Sequence, residues 1–63
     1  MARVYIRGVH VTPTNTLSLA ASANEFLDNA TNDAPEGGGL DQIDDVDIQF
    51  YNNVMFVIAK DLS

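Results

Sequence analysis

No cysteine occurs in this chain, so no disulfide can staple its fold, and no tryptophan supplies a broad stacking surface. One histidine and no thiolate leave too few good ligands for a structural zinc site. Basic side chains are scarce too, three against nine acids, for a net charge of −6. With 63 residues the chain has room for one domain, 1–63, which buries only roughly 60% of the surface it exposes when unfolded. Such a core is marginal alone. With disulfides and metal excluded, self-association is the remaining common supplement.

The 46% hydrophobic content is that of a folded domain, not of a disordered one. No signal segment or membrane span is expected: the longest apolar run, Val54 to Ala59, has six residues where a spanning helix needs about 20. The expected compartment is the cytoplasm. Charge is segregated along the chain. Arg3 and Arg7 are the only charged residues in the first 24 positions, and residues 25–47 hold eight acids and no base. An acidic stretch of that kind repels phosphate backbones, which argues against direct DNA or RNA binding.

Residues 2–12 read as a strand in which Val4 and Ile6 share one face while Val9 and Val11 fall on the other, with Gly8 at the break. One extra residue near Gly8 would bring all four to one side, so the pattern predicts a bulge or bend there. Pro13 to Thr16 are turn and cap residues that introduce a helix running to Asn29 or Ala30. Its stripe is Leu19, Ala23, Phe26 and Ala30 with Leu27 alongside, opposite Asn24, Glu25 and Asp28. The polar side lacks Lys and Arg, which argues against a membrane-surface helix. Residues 31–42, with the triplet Gly37 to Gly39, read as a flexible loop. No Lys followed by Ser or Thr comes after the triplet, so it is not a phosphate cradle.

Val46, Ile48 and Phe50 alternate with Asp47, Gln49 and Tyr51, then Asn52 and Asn53 supply a turn and Val54 to Ala59 returns. A two-residue loop would pair Tyr51 with Val54; a three-residue loop would pair Phe50 with Val54. The second separates apolar from polar faces better and is favoured, with Asn53 left-handed at a bulge. It leaves Tyr51, Met55, Val57 and Ala59, joined by Tyr5, on a face that one helix cannot cover. An uncovered apolar face of that kind marks an interface, here between copies of the chain, with a dimer expected. A right-handed crossover makes the first two strands parallel, and the most apolar strand belongs in the centre. The expected fold is α+β: strand, helix, strand, strand, a three-stranded sheet in order 2-3-1 with one helix on one face.

Candidate chemistry is sparse. His10 is the only side chain suited to general acid-base work near neutral pH, and Ser18 and Ser22 have no base near them in sequence. Asp41, Asp44, Asp45 and Asp47 do not follow the alternate spacing of a calcium loop, so no metal and no cofactor are implied. Arg3, Tyr5 and Arg7 are candidate ligand-binding residues, because Arg pairs phosphate bidentately and Tyr can stack. The fitting ligand is small, anionic and nucleotide-like.

Three families provide comparisons. Small tautomerases use an amino-terminal proline freed by loss of Met, and position 2 here is Ala. Dodecins share the element order and acidic composition but stack flavin on a tryptophan that this chain lacks. Asn24, Glu25, Phe26 and Leu27, then Val46 to Phe50, then the apolar strand ending at Ile58, resemble a little-characterised family of small Firmicute and phage proteins with a sporulation-associated member. That resemblance implies the strand-helix-hairpin order and no particular site.

The function expected is therefore that of a non-enzymatic, self-associating binding protein, such as a phage or bacterial inhibitor or ligand-sequestering protein. Two alternatives belong to other classes. One is an acidic nucleic-acid mimic acting through residues 25–47, and the other is a small enzyme using His10.

Overall fold

The computed structural model describes residues 2–33, 35 and 37–63. Strand β1 (Arg3–His10) is followed by a single 3-10 turn (Thr16–Ser18), helix α1 (Leu19–Ala30), and a hairpin of β2 (Asp45–Tyr51) and β3 (Val54–Asp61). The sheet order is β1-β3-β2, with β3 antiparallel to both neighbours. This is the α+β, 2-3-1 arrangement that the sequence implies, with the most apolar strand in the centre.

The helix begins where Asn15 ties the chain down. Its side-chain amide donates to the His10 carbonyl at 2.6 Å and its carbonyl oxygen accepts the Thr12 N–H at 2.8 Å, so the end of β1 and the turn share one anchor. From there α1 lies over β1 and β3 and does not reach β2. Ala23 packs against Met55 and Val57; Ala30 packs against Ala59 and Leu40. Small side chains let the helix approach closely but bury little area. Phe26, Leu27 and Leu19 fill the flanks, as the stripe predicts.

The hairpin differs from the favoured sequence reading. Tyr51 pairs with Val54, so the loop has two residues, and both Asn52 (φ 49°) and Asn53 (φ 60°) are left-handed. Two positive φ values in succession define the primed turn whose twist matches the flanking strands. A shift of one residue exchanges the faces. Met55, Val57 and Ala59, expected on the bare face, lie buried beneath the helix, and Tyr5 is on that same covered side, opposite Ala59. Of the five expected interface residues only Tyr51, 70% exposed, belongs to the bare face. That face consists of Val4, Ile6, Gly8 and His10 of β1, Val54, Phe56, Ile58 and Lys60 of β3, and Asp45, Asp47, Gln49 and Tyr51 of β2.

Nor does β1 bulge. It pairs residue for residue with β3 from Arg3–Asp61 to His10–Val54. The premise that β1 is apolar on one side only fails: Val9 is helix-side, while Val4 and Ile6 are on the bare side. Gly8 has another use, since a Cβ there would stand 3.3 Å from the ring of Phe56, its cross-strand partner, which lies against it.

Over its second half the glycine loop, expected as a flexible connector, makes backbone hydrogen bonds to the helix end; Ala34 and Glu36 of that loop lie outside the described residues. Gly38 donates its N–H to Asn29 (2.9 Å), Gly39 to Asn32 (3.0 Å) and Leu40 to Ala30 (2.9 Å), and Leu40 is buried. Gly39 has a φ of 64°, and a Cβ on Gly38 would come within 2.6 Å of both the Ala30 carbonyl oxygen and the Tyr5 ring. Gly38→Ala is therefore expected to lower stability by about 1–3 kcal/mol, because backbone must shift. Gly8→Ala, which meets only side-chain ends, should perturb thermal unfolding less. Circular dichroism melts of both variants check this.

Candidate functional site

Arg3, Tyr5 and Arg7 alternate along β1 and so project to one side, but to the helix side, where each has a local partner. The Arg3 guanidinium donates to the Gly39 carbonyl at 3.0 Å and more loosely to that of Gly38 at 3.4 Å. Arg7 stands over the Phe26 ring, 5.3 Å from its centroid, a cation–π arrangement that holds the helix flank. The Tyr5 ring is packed among Ala30, Leu40 and Ala59 beneath Gly38. It is not presented for stacking. The three expected ligand-binding residues are thus brought to one face, but they are spent on fastening the loop and helix to β1.

The acids are similarly engaged. Asp44 accepts the Leu62 N–H and the Gln42 side-chain amide, both at 2.7 Å, Asp45 pairs with Lys60 at 3.8 Å, and Asp47 accepts from Gln49 at 2.9 Å. Among the described residues no group of acids and histidine is arranged to hold a metal ion, and no pocket indents the surface. His10 stands on the bare face at the end of β1, opposite Val54, and among the described residues its ring has no hydrogen-bond partner.

One acid is buried. Asp61 terminates β3 on the helix side and accepts hydrogen bonds from the hydroxyl and N–H of Ser63. The Ser63 hydroxyl, with the other donors behind it, holds the carboxyl below its ordinary value of 3.8, and burial opposes the shift without reversing it. The two Ser63 bonds fold that residue back onto the end of the central strand. Sequence reading placed no role on Asp61; its position at the close of an apolar strand was the available signal.

No protein-family model, curated protein or solved structure matches this chain. The site must be argued from its own geometry.

What that geometry leaves uncovered is apolar. On the bare face Val4 and Ile6 are 55% and 57% exposed, and the half-buried Val54, Phe56 and Ile58 run beside them. Along the rim on β2 stand Asp45, Asp47 and Gln49. A second uncovered strip lies on the helix side, where α1 stops short: Val46, Ile48 and Phe50 of β2 are 42%, 44% and 65% exposed. The sequence implies an uncovered apolar face but, with the register one residue off, four of its five expected residues, all but Tyr51, lie on the opposite side.

Two predictions come from these contacts. A folded-state carboxyl held low contributes stability that is present above its unfolded value and lost as pH falls through its folded value. Acid unfolding should therefore have a component below pH 3.8 that Asp61→Asn removes, with variant and wild type differing most near neutrality and converging in acid; pH-dependent melts check it. Second, the Tyr5 hydroxyl is buried and has no hydrogen-bond partner among the described residues. An unpaired buried polar atom is destabilising, so Tyr5→Phe should raise stability by about 1 kcal/mol in urea titration.

Proposed function

We propose that this chain is a small, non-enzymatic binding protein that associates with itself and engages a protein partner through its sheet, acting in the cytoplasm as an inhibitor or sequestering factor. The observation that carries the reading is the row Val4, Ile6, Val54, Phe56 and Ile58, an apolar sheet surface with no layer over it. The whole molecule points the same way. Its accessible area of 4321 Å² exceeds the about 3,950 Å² typical of a compact protein of this mass, and its radius of gyration of 12.0 Å exceeds the about 10.6 Å typical of this length. One layer is missing a cover. The complementary partner presents an apolar ridge to that row.

The nucleotide-like ligand and the acidic mimic draw less support, because Arg3, Arg7, Asp44, Asp45 and Asp47 already have partners within the chain. Sedimentation velocity and native mass spectrometry at micromolar concentration test the reading. A self-associated species is expected, and Ile6→Asp should sharply reduce native-state Nile red binding with the circular dichroism spectrum retained. A chain that stays monomeric, or one that binds no apolar probe, contradicts it.

A further inference from the structure

The free edge of β2 has a register in which it complements itself. Bonding parity follows from the hairpin, because in a two-residue loop the flanking pair, Tyr51 and Val54, exchanges both backbone bonds. Bonded pairs then recur at Gln49–Phe56, Asp47–Ile58 and Asp45–Lys60. Two observed bonds agree: the Lys60 carbonyl accepts from Asp44 on the β2 side, and Val11 donates to Asn53 across the β1–β3 ladder. The peptide groups of Val46, Ile48 and Phe50 therefore point outward. The same three residues carry the uncovered apolar side chains on the helix side.

We infer that a second copy of this chain pairs with the first along β2, antiparallel, about a two-fold axis at Ile48, joining two three-stranded sheets into one of six. Ile48 then faces Ile48 of the other copy, and Val46 of each faces Phe50 of the other. All outward peptide groups of these residues find partners, with an aromatic side chain against a β-branched one at each flank. Asp47 falls opposite Gln49 and Asp45 opposite Tyr51, so no acid meets an acid. Neighbouring registers fail on this point. An axis at Asp47 sets Asp47 against itself, and an axis at Gln49 drives Val46 onto Asn52 of the turn. The pairing also joins the two helix-side strips into one trough flanked by the two copies of α1, where Val46, Ile48 and Phe50 pack against their counterparts.

The edge of β1 gains less. Its helix-side residues Tyr5 and Val9 are already half-covered by α1 and the glycine loop, and the outward carbonyl of His10 is taken by Asn15. Pairing there would leave Val4 and Ile6 as bare as before. Pairing through β2 leaves them bare too, but on a surface doubled in width, which is the partner-binding face of the reading above.

This inference rests on the self-association proposed above and is tested apart from it. The chain has no cysteine, so single substitutions give clean cross-linking. Under mild oxidation Ile48→Cys should become a disulfide-linked dimer, since directly opposed strand residues lie about 5.5 Å apart between Cα atoms, within disulfide reach. Phe50→Cys on the same strand and face, and Ile6→Cys at the middle of β1, should cross-link at least tenfold more slowly. Ile48→Lys, which opposes two like charges at the axis, should shift the sedimentation profile to monomer. A wild-type dimer in which Ile6→Cys or Phe50→Cys links as fast as Ile48→Cys overturns the β2 pairing and leaves self-association standing. A wild-type monomer overturns both.

Discussion

The two-residue turn at Asn52 and Asn53 is the constraint on which the rest of the structure depends. Both residues are left-handed, a conformation that asparagine tolerates better than other residues with a Cβ, and the pair fixes Tyr51 opposite Val54. Because strand side chains alternate, that one choice decides which half of β3 the helix covers. Met55, Val57 and Ala59 go under it with Asp61 on the same side, and Val54, Phe56, Ile58 and Lys60 face away. The partners of β3 follow. Tyr5 and Arg7 are drawn to the covered side, while Val4 and Ile6 are left outside.

The interior that results is small. Among the described residues its buried apolar side chains are Ala23, Ala30, Leu40, Met55, Val57 and Ala59, half of them alanines, and Val57 is the largest of these buried almost completely. A helix with alanines at its contact points sits close to the sheet but contributes little hydrophobic area. Polar fastenings supplement it around the rim: Arg3 to the glycine loop, Arg7 over Phe26, Asn15 to the end of β1, and Asp61 to Ser63. The residues that looked most like a ligand site are among these fastenings. A small core enlists its few charged groups as structure.

Much of this was legible before any coordinates. Strand order, the parallel relation of β1 and β2, the central place of β3 and the helix stripe all follow from periodicity and chain topology. The register did not, and the reason is physical. Residues 54–59 are apolar at every position, so partition between faces barely distinguishes one pairing from the next, and the local signal in the tandem asparagines was the better guide. The supposed bulge at Gly8 failed similarly, because it assumed that β1 buries one side only. The backbone bonds of Gly38 and Gly39 were not legible either, because the carbonyls that accept them are set by the helix end, which sequence alone does not position. Functional residues inherit these errors, since a one-residue slip turns an exposed face into a buried one.

The turn's control of the register is measured most directly by nuclear Overhauser contacts between α-protons across the hairpin. With Tyr51 opposite Val54, Ile48 and Val57 form a non-bonded pair whose α-protons face each other closely, as do Phe50 and Met55. Strong cross-peaks for these two pairs are the result expected. Contacts that instead place Ile48 opposite Phe56 would show a three-residue loop, return Met55, Val57 and Ala59 to the outside, and contradict the account at its root.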